Sequence, residues 1–397
     1  MNRDETSKVV PFDRRRRYPD PARVAAFGAT ARQLMQEKAD SADAVLRVLR
    51  ETPRDRWATL VDRPEFLTSG TLDSLAKLAA ELERDPQESL AATALAIAIA
   101  EALPDGAYPI VVIEQHRGQA WKDRARALCY LARYEEALAA LDRADAFFEG
   151  HGTLAHDRAI ADFVRSIVLS HLRRFDEAQE LLESCRSVFN DHGDVPLYRK
   201  CTVAAGNLLV RRGDYRAARE VLRELLRDGD AEATARARFA LGWCAIHLGV
   251  PEEALEHFND AVRRQKQLAS QLEVVRATYG AGCALVRLGR LDDAIEHLTY
   301  ARSHFLEHAF IEEAGLSGLE IVEACMLRDE FEPARTLAAT IVQEFTDAAL
   351  NRRAVAALAY LNDAIAASSA TPEIVRHVHA YITELRFDPT REFVLVN

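Results

Sequence analysis

Pairs of acidic residues are the first feature of this sequence that could do chemistry, because two neighbouring carboxyl groups can serve as general acid and general base. Four such pairs each precede an alanine: Glu135 and Glu136, Asp176 and Glu177, Glu252 and Glu253, and Asp292 and Asp293. The helix dipole favours carboxylates in the first turn of a helix, and a feature that recurs at a regular spacing belongs to a repeated structural unit. We therefore interpret the pairs as helix starts and not as catalytic groups.

Histidines are the second such feature, because imidazole is a common metal ligand. His304 and His308 share a helical face at positions i and i+4, and His257 and His297 occupy the same place in successive units. We see no HExxH motif and no histidine and carboxylate set at a zinc spacing, and equivalent residues of stacked units lie on the order of 10 to 20 Å apart. We predict no metal site.

Motifs for nucleotide binding and nucleophilic catalysis are also missing from the sequence. It has no GxxxxGK[ST] loop and no GxSxG turn, and its GxG at Gly280 and Gly282 lies inside a helical pattern. No sequence pattern couples a nucleophile to a base. We predict that the chain is not an enzyme and uses no cofactor.

The composition indicates which elements must position any functional residues. Apolar residues make up 49% of the 397 positions, and Ala, Leu and Arg predominate, which favours an all-α fold. The net charge of −11 argues against a protein that coats nucleic acid or an anionic membrane. The most apolar stretch, Leu90 to Leu103, is too short to span a membrane, and the polar segment Met1 to Phe12 has no signal-peptide core. We expect a cytoplasmic protein, and the Arg-rich, Ala-rich composition suggests a bacterial one.

An internal repeat organises most of the chain. A polar turn, an acidic pair and an alanine followed by an apolar helix recur along it, and the intervals between these anchor alanines are 41, 40, 36, 40 and 40 residues. The anchors are Ala137, Ala178, Ala218, Ala254, Ala294 and Ala334. Such a period predicts six stacked helical pairs with helices longer than those of a 34-residue unit. We expect Gly213, Gly249 and Gly289 to end first helices in the left-handed conformation that glycine takes without strain.

In its middle, the chain resembles the tetratricopeptide repeat family. In the unit anchored on Ala254, the family's Leu-Gly pair falls on Leu241 and Gly242, its turn glycine on Gly249, its large residue on Phe258 and its later alanine on Ala261. The resemblance implies an all-α, right-handed superhelical solenoid of helix-turn-helix repeats with an N-terminal helical region and a C-terminal capping pair.

The expected organisation has four parts. They are a disordered Arg-rich arm (1–20), an N-terminal helical region (21–116), six repeats (117–350), and capping helices with a tail (351–397). In the N-terminal region we predict helices over 21–38, 42–50, 71–84 and 86–103, and at the C-terminus over 353–368 and 371–385.

Four consecutive arginines give the amino-terminal arm a strong local positive charge. They are Arg14, Arg15, Arg16 and Arg17. A run of like charges is typical of a solvated tail, and the alternative interpretation is an arm that docks onto an acidic partner.

The family's geometry implies a concave groove lined by the first helix of each repeat. Fifteen positions follow from it, comprising seven cations, two histidines, five aromatics, one amide and no acid: Lys122, Arg126, Tyr130, Phe163, His171, Lys200, Asn207, Arg211, Arg236, Phe239, Trp243, His247, Arg276, Tyr279 and Arg287. Such a groove would attract an acidic, partly aromatic ligand. The alternative is that these arginines pair with neighbouring acids and that the aromatics pack against the next helix.

The resulting functional hypothesis is an adaptor or regulator that binds a protein or peptide segment, which we expect to be acidic, in the groove. A second hypothesis is a peptide-sensing regulator whose superhelix changes shape when its ligand binds. A third hypothesis is a channel for single-stranded nucleic acid, which the overall acidity disfavours. We expect no membrane partner.

Overall fold

The computed structural model describes residues 21–82, 85–104, 106–227, 230–385 and 388–395. These residues form a succession of α-helices joined by short turns and 3-10 segments, and they contain no strand. The predicted all-α fold is therefore confirmed. The four arginines of the predicted docking arm, Arg14, Arg15, Arg16 and Arg17, lie outside the described residues, so both interpretations of the arm stay predictions.

The chain divides into two compact units, residues 1–164 and 165–397. The helices of the first unit are α1 (Pro21–Glu51), α2 (Ser69–Glu81), α3 (Pro86–Ala102), α4 (Ile110–Tyr130) and α5 (Tyr134–Phe148). Its core is formed by side chains such as Leu75, Ile99 and Leu60, which are almost completely buried. The prediction of two separate helices over 21–38 and 42–50 was wrong, because Ala39 to Ser41 contains neither Gly nor Pro and α1 continues through it.

The remaining helices include α6 (Ala155–His171), in which the division between the units falls. They continue with α7 (Phe175–Asp191), α8 (Val195–Arg212), α9 (Tyr215–Glu224), α10 (Ala231–His247), α11 (Pro251–Gln267), α12 (Gln271–Arg287), α13 (Leu291–Glu307), α14 (Ile311–Leu327), α15 (Phe331–Asp347), α16 (Arg352–Ala366) and α17 (Pro372–Leu385). The helices from α7 to α17 are therefore 10 to 18 residues long.

The repeat read from the sequence is present as helical pairs. Each anchor alanine is the fourth residue of a second helix (α5, α7, α9, α11, α13 or α15), and each anchor is fully buried. In the fourth pair, a Cβ atom at Gly242 would lie 2.6 Å from the Phe258 ring, and one at Gly280 would lie 2.4 Å from it. Only glycine lets α10 and α12 approach this buried ring so closely.

The turns between first and second helices use a left-handed residue at one fixed place. Gly213, Gly249 and Gly289 have φ angles of +89°, +74° and +70°, as predicted. In the other three pairs the same place is taken by Ala132, Arg173 and Asp329, with φ angles of 55° to 60°. The conformation is therefore a property of the pair geometry and is imposed even where the residue is not glycine.

The acidic pairs lie in the first turns of α5, α7, α11 and α13, as interpreted from the sequence. In the first of these turns the Glu136 carboxylate accepts two hydrogen bonds from Arg133, at 2.7 and 2.6 Å. Arg174 and Glu177 repeat this contact. These carboxylates are thus bound to the arginine that precedes their helix, which agrees with a structural role.

Candidate functional site

All fifteen predicted groove positions lie on the first helices α4, α6, α8, α10 and α12, and each is at least partly exposed. Because the chain forms two units, the α4 positions are described separately from those of α8 to α12.

Lys122 and Arg126 of α4 contact the carboxylate of Asp123 at 3.0 and 3.3 Å. Asp123 is only 4% exposed, so these two cations neutralise a buried acid that sequence reasoning did not place there. Tyr130, further along α4, is 53% exposed.

The aromatic positions of α10 and α12 belong to a packed layer. The rings of Phe239 and Trp243 meet the buried ring of Phe258 edge to face, with centroids 5.9 and 5.4 Å apart. Trp243 also lies 5.9 Å from Tyr279. These rings form the floor of the α10 and α12 surface, because part of their area covers Phe258 and only the remainder is exposed.

Two cations of α10 and α12 are paired within their own helices. Arg236 contacts Glu232 at 2.8 Å, and Arg276 contacts Glu273 at 2.8 Å. Both pairs are partly exposed, and such pairs contribute little to stability. A ligand carboxylate can therefore compete for either arginine.

A buried acidic cluster lies where α12 meets α14. Arg287 donates hydrogen bonds to Glu323 at 3.1 Å and to Glu320 at 3.3 Å, and these carboxylates are only 2% and 3% exposed. Burial raises the pKa of both carboxyl groups, and the Glu320 charge adds to the effect at Glu323. Glu323 lies 80 positions after Trp243, which is two repeats of 40 residues. Counting the same groove position forward into the sixth repeat would therefore have identified Glu323 from the sequence.

Helix α17 closes this end of the first-helix surface. Arg376 of α17 contacts Glu323 at 3.4 Å, and the His379 ring lies 3.0 Å from the Tyr279 hydroxyl and 3.7 Å from Glu320. Every residue of α14 from 314 to 326 is buried. The capping pair predicted from the sequence thus includes a helix that lies on α14, and the exposed first-helix surface of this unit comprises α8, α10 and part of α12.

Three residues of α8 form a polar surface on one face of the helix. Lys200, Asn207 and Arg211 are separated by seven and four positions, or about two turns and one turn, and all three are exposed. Across the described part of the chain, Lys200 makes no ion pair and the Asn207 amide makes no hydrogen bond. We call Lys200, Asn207 and Arg211 the α8 surface.

Histidine lies beside arginine at the ends of these first helices. Arg211 lies 3.4 Å from the Nδ1 atom of His171, and burial together with this positive charge lowers the pKa of His171 to about 4. The His247 ring stacks on Tyr215 at 4.3 Å, and burial and then Arg287 lower its pKa. Both imidazoles are therefore neutral at pH 7. A ligand carboxylate placed here would raise their pKa values and favour the charged form.

One set of side chains among the described residues brings three possible metal ligands together. The ligand atoms of His304, Glu307 and His308, on and just after α13, lie within 4.8 Å of one another. His257 and His297 are not part of this group. His257 instead lies 2.9 Å from Arg238, and burial lowers its pKa.

Comparison with known proteins supports the fold. Residues 203–269, which run from α8 to just beyond the end of α11, match the model of the tetratricopeptide repeat family. The match covers 67 of the 397 residues, so it shows a tetratricopeptide repeat segment within the chain. No curated protein matches its sequence.

Several solved structures resemble this chain in fold. One is a signal transduction ATPase with numerous domains and a tetratricopeptide repeat sensor, from Pyrococcus horikoshii, with a TM-score of 0.59 and 12% identity over 89% of this chain and 53% of that chain. The present chain therefore spans about half the length of that ATPase. Another is the apo quorum sensor NprR from B. thuringiensis, with a TM-score of 0.55 and 11% identity over 84% and 99% of the two chains.

A third similar structure is NprR in complex with its cognate peptide NprX, with a TM-score of 0.52 and 14% identity over 89% of this chain and 98% of that chain. At these identities the likeness shows the fold.

Within the described ranges, no helix of the present chain combines the length and apolarity needed to cross a membrane.

Proposed function

We propose that this tetratricopeptide repeat protein binds an acidic segment of another protein or a peptide on the first-helix surface of α8, α10 and α12. The α8 surface carries the proposal. On α10 and α12 the cations are occupied by acids, such as Glu232 at Arg236 and Glu320 at Arg287, whereas Lys200 on α8 has no such partner in the described structure.

The chemistry of this surface suits a carboxylate on an extended chain. The Lys200 ammonium and the Arg211 guanidinium supply charge, and the guanidinium can donate two parallel hydrogen bonds to one carboxylate. Asn207 lies between them and can both donate to and accept from a peptide backbone. The partly exposed faces of Trp243 and Tyr279 on the neighbouring helices would contact an aromatic or apolar side chain of the ligand.

The proposal is tested with two labelled peptides, one of polyglutamate and one of polylysine, by fluorescence anisotropy. The double variant Lys200→Glu/Arg211→Glu is compared with Lys266→Glu, which reverses an exposed lysine on the second helix α11. We expect the wild type and Lys266→Glu to bind polyglutamate, and the double variant to bind it at least about tenfold more weakly. Equal binding by all three proteins, or a preference for polylysine, would overturn the proposal.

We propose, as a second function, that ligand binding on this surface changes the shape of the repeat array. Its support is the match over nearly the whole length of NprR, which was solved both without and with its cognate peptide. Small-angle scattering of the full chain with and without saturating polyglutamate is the test. A changed scattering curve supports a sensor, and an unchanged curve at saturation leaves a passive adaptor.

A further inference from the structure

The C-terminal end of α13 places three nitrogen and oxygen donors on one helical face. His304 and His308 are four positions apart, and Glu307 is three positions after His304. One potential ligand atom from each lies within 4.8 Å of the others. Residues three and four apart are neighbours on a helix, so this proximity follows from the backbone alone.

Two of the three donors already stand at the separation that a metal ion requires. The Nδ1 atom of His304 lies 3.4 Å from a carboxylate oxygen of Glu307. Two ligands bound to a tetrahedral zinc ion at about 2.0 to 2.1 Å are roughly 3.4 Å apart. This Nδ1 atom is buried and has no hydrogen-bond partner among the described residues, which is an unusual state for a polar atom.

The third donor is held in the form that binds metals. The Nδ1 atom of His308 lies 2.9 Å from the carbonyl oxygen of His304, so Nδ1–H donates to this oxygen and Nε2 keeps its lone pair. His308 is exposed, so no packed neighbour prevents its ring from turning toward the other two donors. The Tyr300 ring packs against the His304 ring, with the centroids 4.6 Å apart and an angle of 63° between the ring planes.

The charges around this site favour a cation. His304 to His308 includes one acid and neither Lys nor Arg. The guanidinium of Arg302, two positions earlier, is bound to the carbonyl oxygen of Ala314 at 2.8 Å and to Glu344 at 2.6 Å. It is therefore directed to other partners, and Glu344 neutralises its charge.

We propose that His304, Glu307 and His308 bind one zinc ion through two imidazole nitrogens and one carboxylate oxygen, with water as the fourth ligand. Imidazole favours zinc over magnesium and calcium, which prefer oxygen ligands. The sequence-based prediction of no metal site found no histidine and carboxylate set at a zinc spacing, whereas His304, Glu307 and His308 form such a set at positions i, i+3 and i+4 of one helical face. The site is on a second helix, whereas the proposed peptide surface is on first helices, so either can exist without the other.

The test is isothermal titration calorimetry of the full chain, carrying no polyhistidine tag, with zinc chloride at neutral pH. We expect one zinc ion per chain and no heat with magnesium. His308→Ala and Glu307→Gln should each weaken zinc binding by about tenfold or more. His297→Ala is the matched control, because His297 is on the same helix and its Nδ1 atom makes the same contact with the carbonyl oxygen four positions earlier, that of Asp293.

A second readout separates a true site from scattered surface binding. Cobalt replacing zinc in a tetrahedral site has strong visible absorption, which we expect from the wild type and from His297→Ala but not from His308→Ala. Circular dichroism should show the same helix content in all variants, because none of the substituted side chains is buried. Zinc binding that is unchanged in His308→Ala, or no binding by the wild type at micromolar zinc, would overturn the proposal.

Discussion

At the scale of single residues, Glu320 and Glu323 are the most unusual groups of the second unit. Buried carboxylates normally have all their oxygens hydrogen-bonded, but one oxygen of Glu320 is buried without a partner in the described structure. Arg287 and Arg376 supply positive charge, and desolvation still dominates, so the pKa of each carboxyl group is raised. The folded protein therefore binds protons at these groups more tightly than the unfolded chain does.

This cluster predicts how stability depends on pH. Because the pKa values are higher in the folded state, the contribution of these acids is favourable at low pH and is lost as the pH rises through the folded pKa. The substitution Glu320→Gln removes the buried charge of that carboxylate. Arg287 still has Glu323 as its ion-pair partner. We expect the variant to be more stable than the wild type at pH 8 by about 1.4 kcal/mol for each pKa unit of the rise, and the difference to shrink toward pH 5.

Chemical denaturation of both proteins between pH 5 and pH 8 measures this difference in the free energy of unfolding. Glu296→Gln, an exposed acid on α13, serves as the control and should follow the wild type at every pH. A Glu320→Gln variant that is less stable than the wild type by the same amount at all pH values would show that ion pairing outweighs desolvation here.

His171 gives a second residue-scale prediction, which rests on the proposed acidic ligand. Its pKa of about 4 in the free protein reflects burial and the charge of Arg211. A bound carboxylate would raise this pKa, so binding would take up a proton and polyglutamate would bind more tightly as the pH falls from 8 toward 5. A rise of two units in the pKa of His171 would tighten binding about tenfold at pH 5.

The variant His171→Asn should lose this pH dependence but keep the affinity measured at pH 8. Titration of the His171 ring by NMR, with and without the peptide, checks the mechanism directly.

At the scale of elements, the left-handed turn between the two helices of a pair determines how a substitution at that position changes the free energy of unfolding. Gly249 takes a φ angle of +74°, whereas Ala132 takes +55° at the equivalent place. The left-handed conformation costs a residue with a side chain roughly 1 to 2 kcal/mol, partly offset by the greater entropy that glycine loses on folding. We expect Gly249→Ala to destabilise the protein by about 1 kcal/mol and Ala132→Gly to stabilise it by up to about 1 kcal/mol.

Thermal and chemical denaturation of the two single variants measure the change in the free energy of unfolding and so test this prediction. Neither residue is buried, and a Cβ atom at Gly249 meets nothing within 4 Å, so any effect arises from the backbone. If Gly249→Ala left stability unchanged, the proposed cost of the left-handed conformation would be wrong for this turn.

The same elements show why some features could be predicted from the sequence. The anchor alanines and Gly213, Gly249 and Gly289 are local requirements of a close helical pair, so their positions predict the pairs directly. The turn at Arg173 could not be found in this way, because tertiary packing imposes its conformation on a residue that does not prefer it. The covering of α14 by α17 was also not readable from the sequence, because the contacts of His379 with Glu320 and of Arg376 with Glu323 join residues 59 and 53 positions apart.

The candidate groove shows the same limit. Family geometry placed its residues on first helices, which the structure reproduces, but it could not say which cations would be occupied. Whether Lys122 pairs with Asp123 or remains available depends on side-chain packing within the folded unit. Lys200 and Asn207 differ from the other polar positions only through what surrounds them, and that information is absent from the repeat pattern.

At the scale of the whole molecule, the proposed ligand has to overcome an unfavourable net charge. The chain carries −11, so an acidic peptide is repelled at long range, while Lys200 and Arg211 attract it at contact. Salt separates the two effects, because the Debye length is about 10 Å at 0.1 M and contacts between paired groups are screened less than distant charges. We expect the contacts to dominate, so that the affinity of the wild type for polyglutamate falls as sodium chloride is raised from about 50 to about 500 mM.

The double variant Lys200→Glu/Arg211→Glu tests this explanation, because its affinity for polyglutamate should change with salt in the opposite direction to that of the wild type. Once the α8 cations are reversed, repulsion outweighs the remaining attraction of Arg236 and Arg276, and screening should then increase the weak residual binding as salt is added. Lys266→Glu changes the net charge by two without touching the α8 surface, so it should keep the falling dependence of the wild type. Anisotropy titrations at four salt concentrations give the three slopes. A rising slope for the wild type would mean that global repulsion outweighs the α8 surface, and an acidic ligand would then be the wrong choice for this protein.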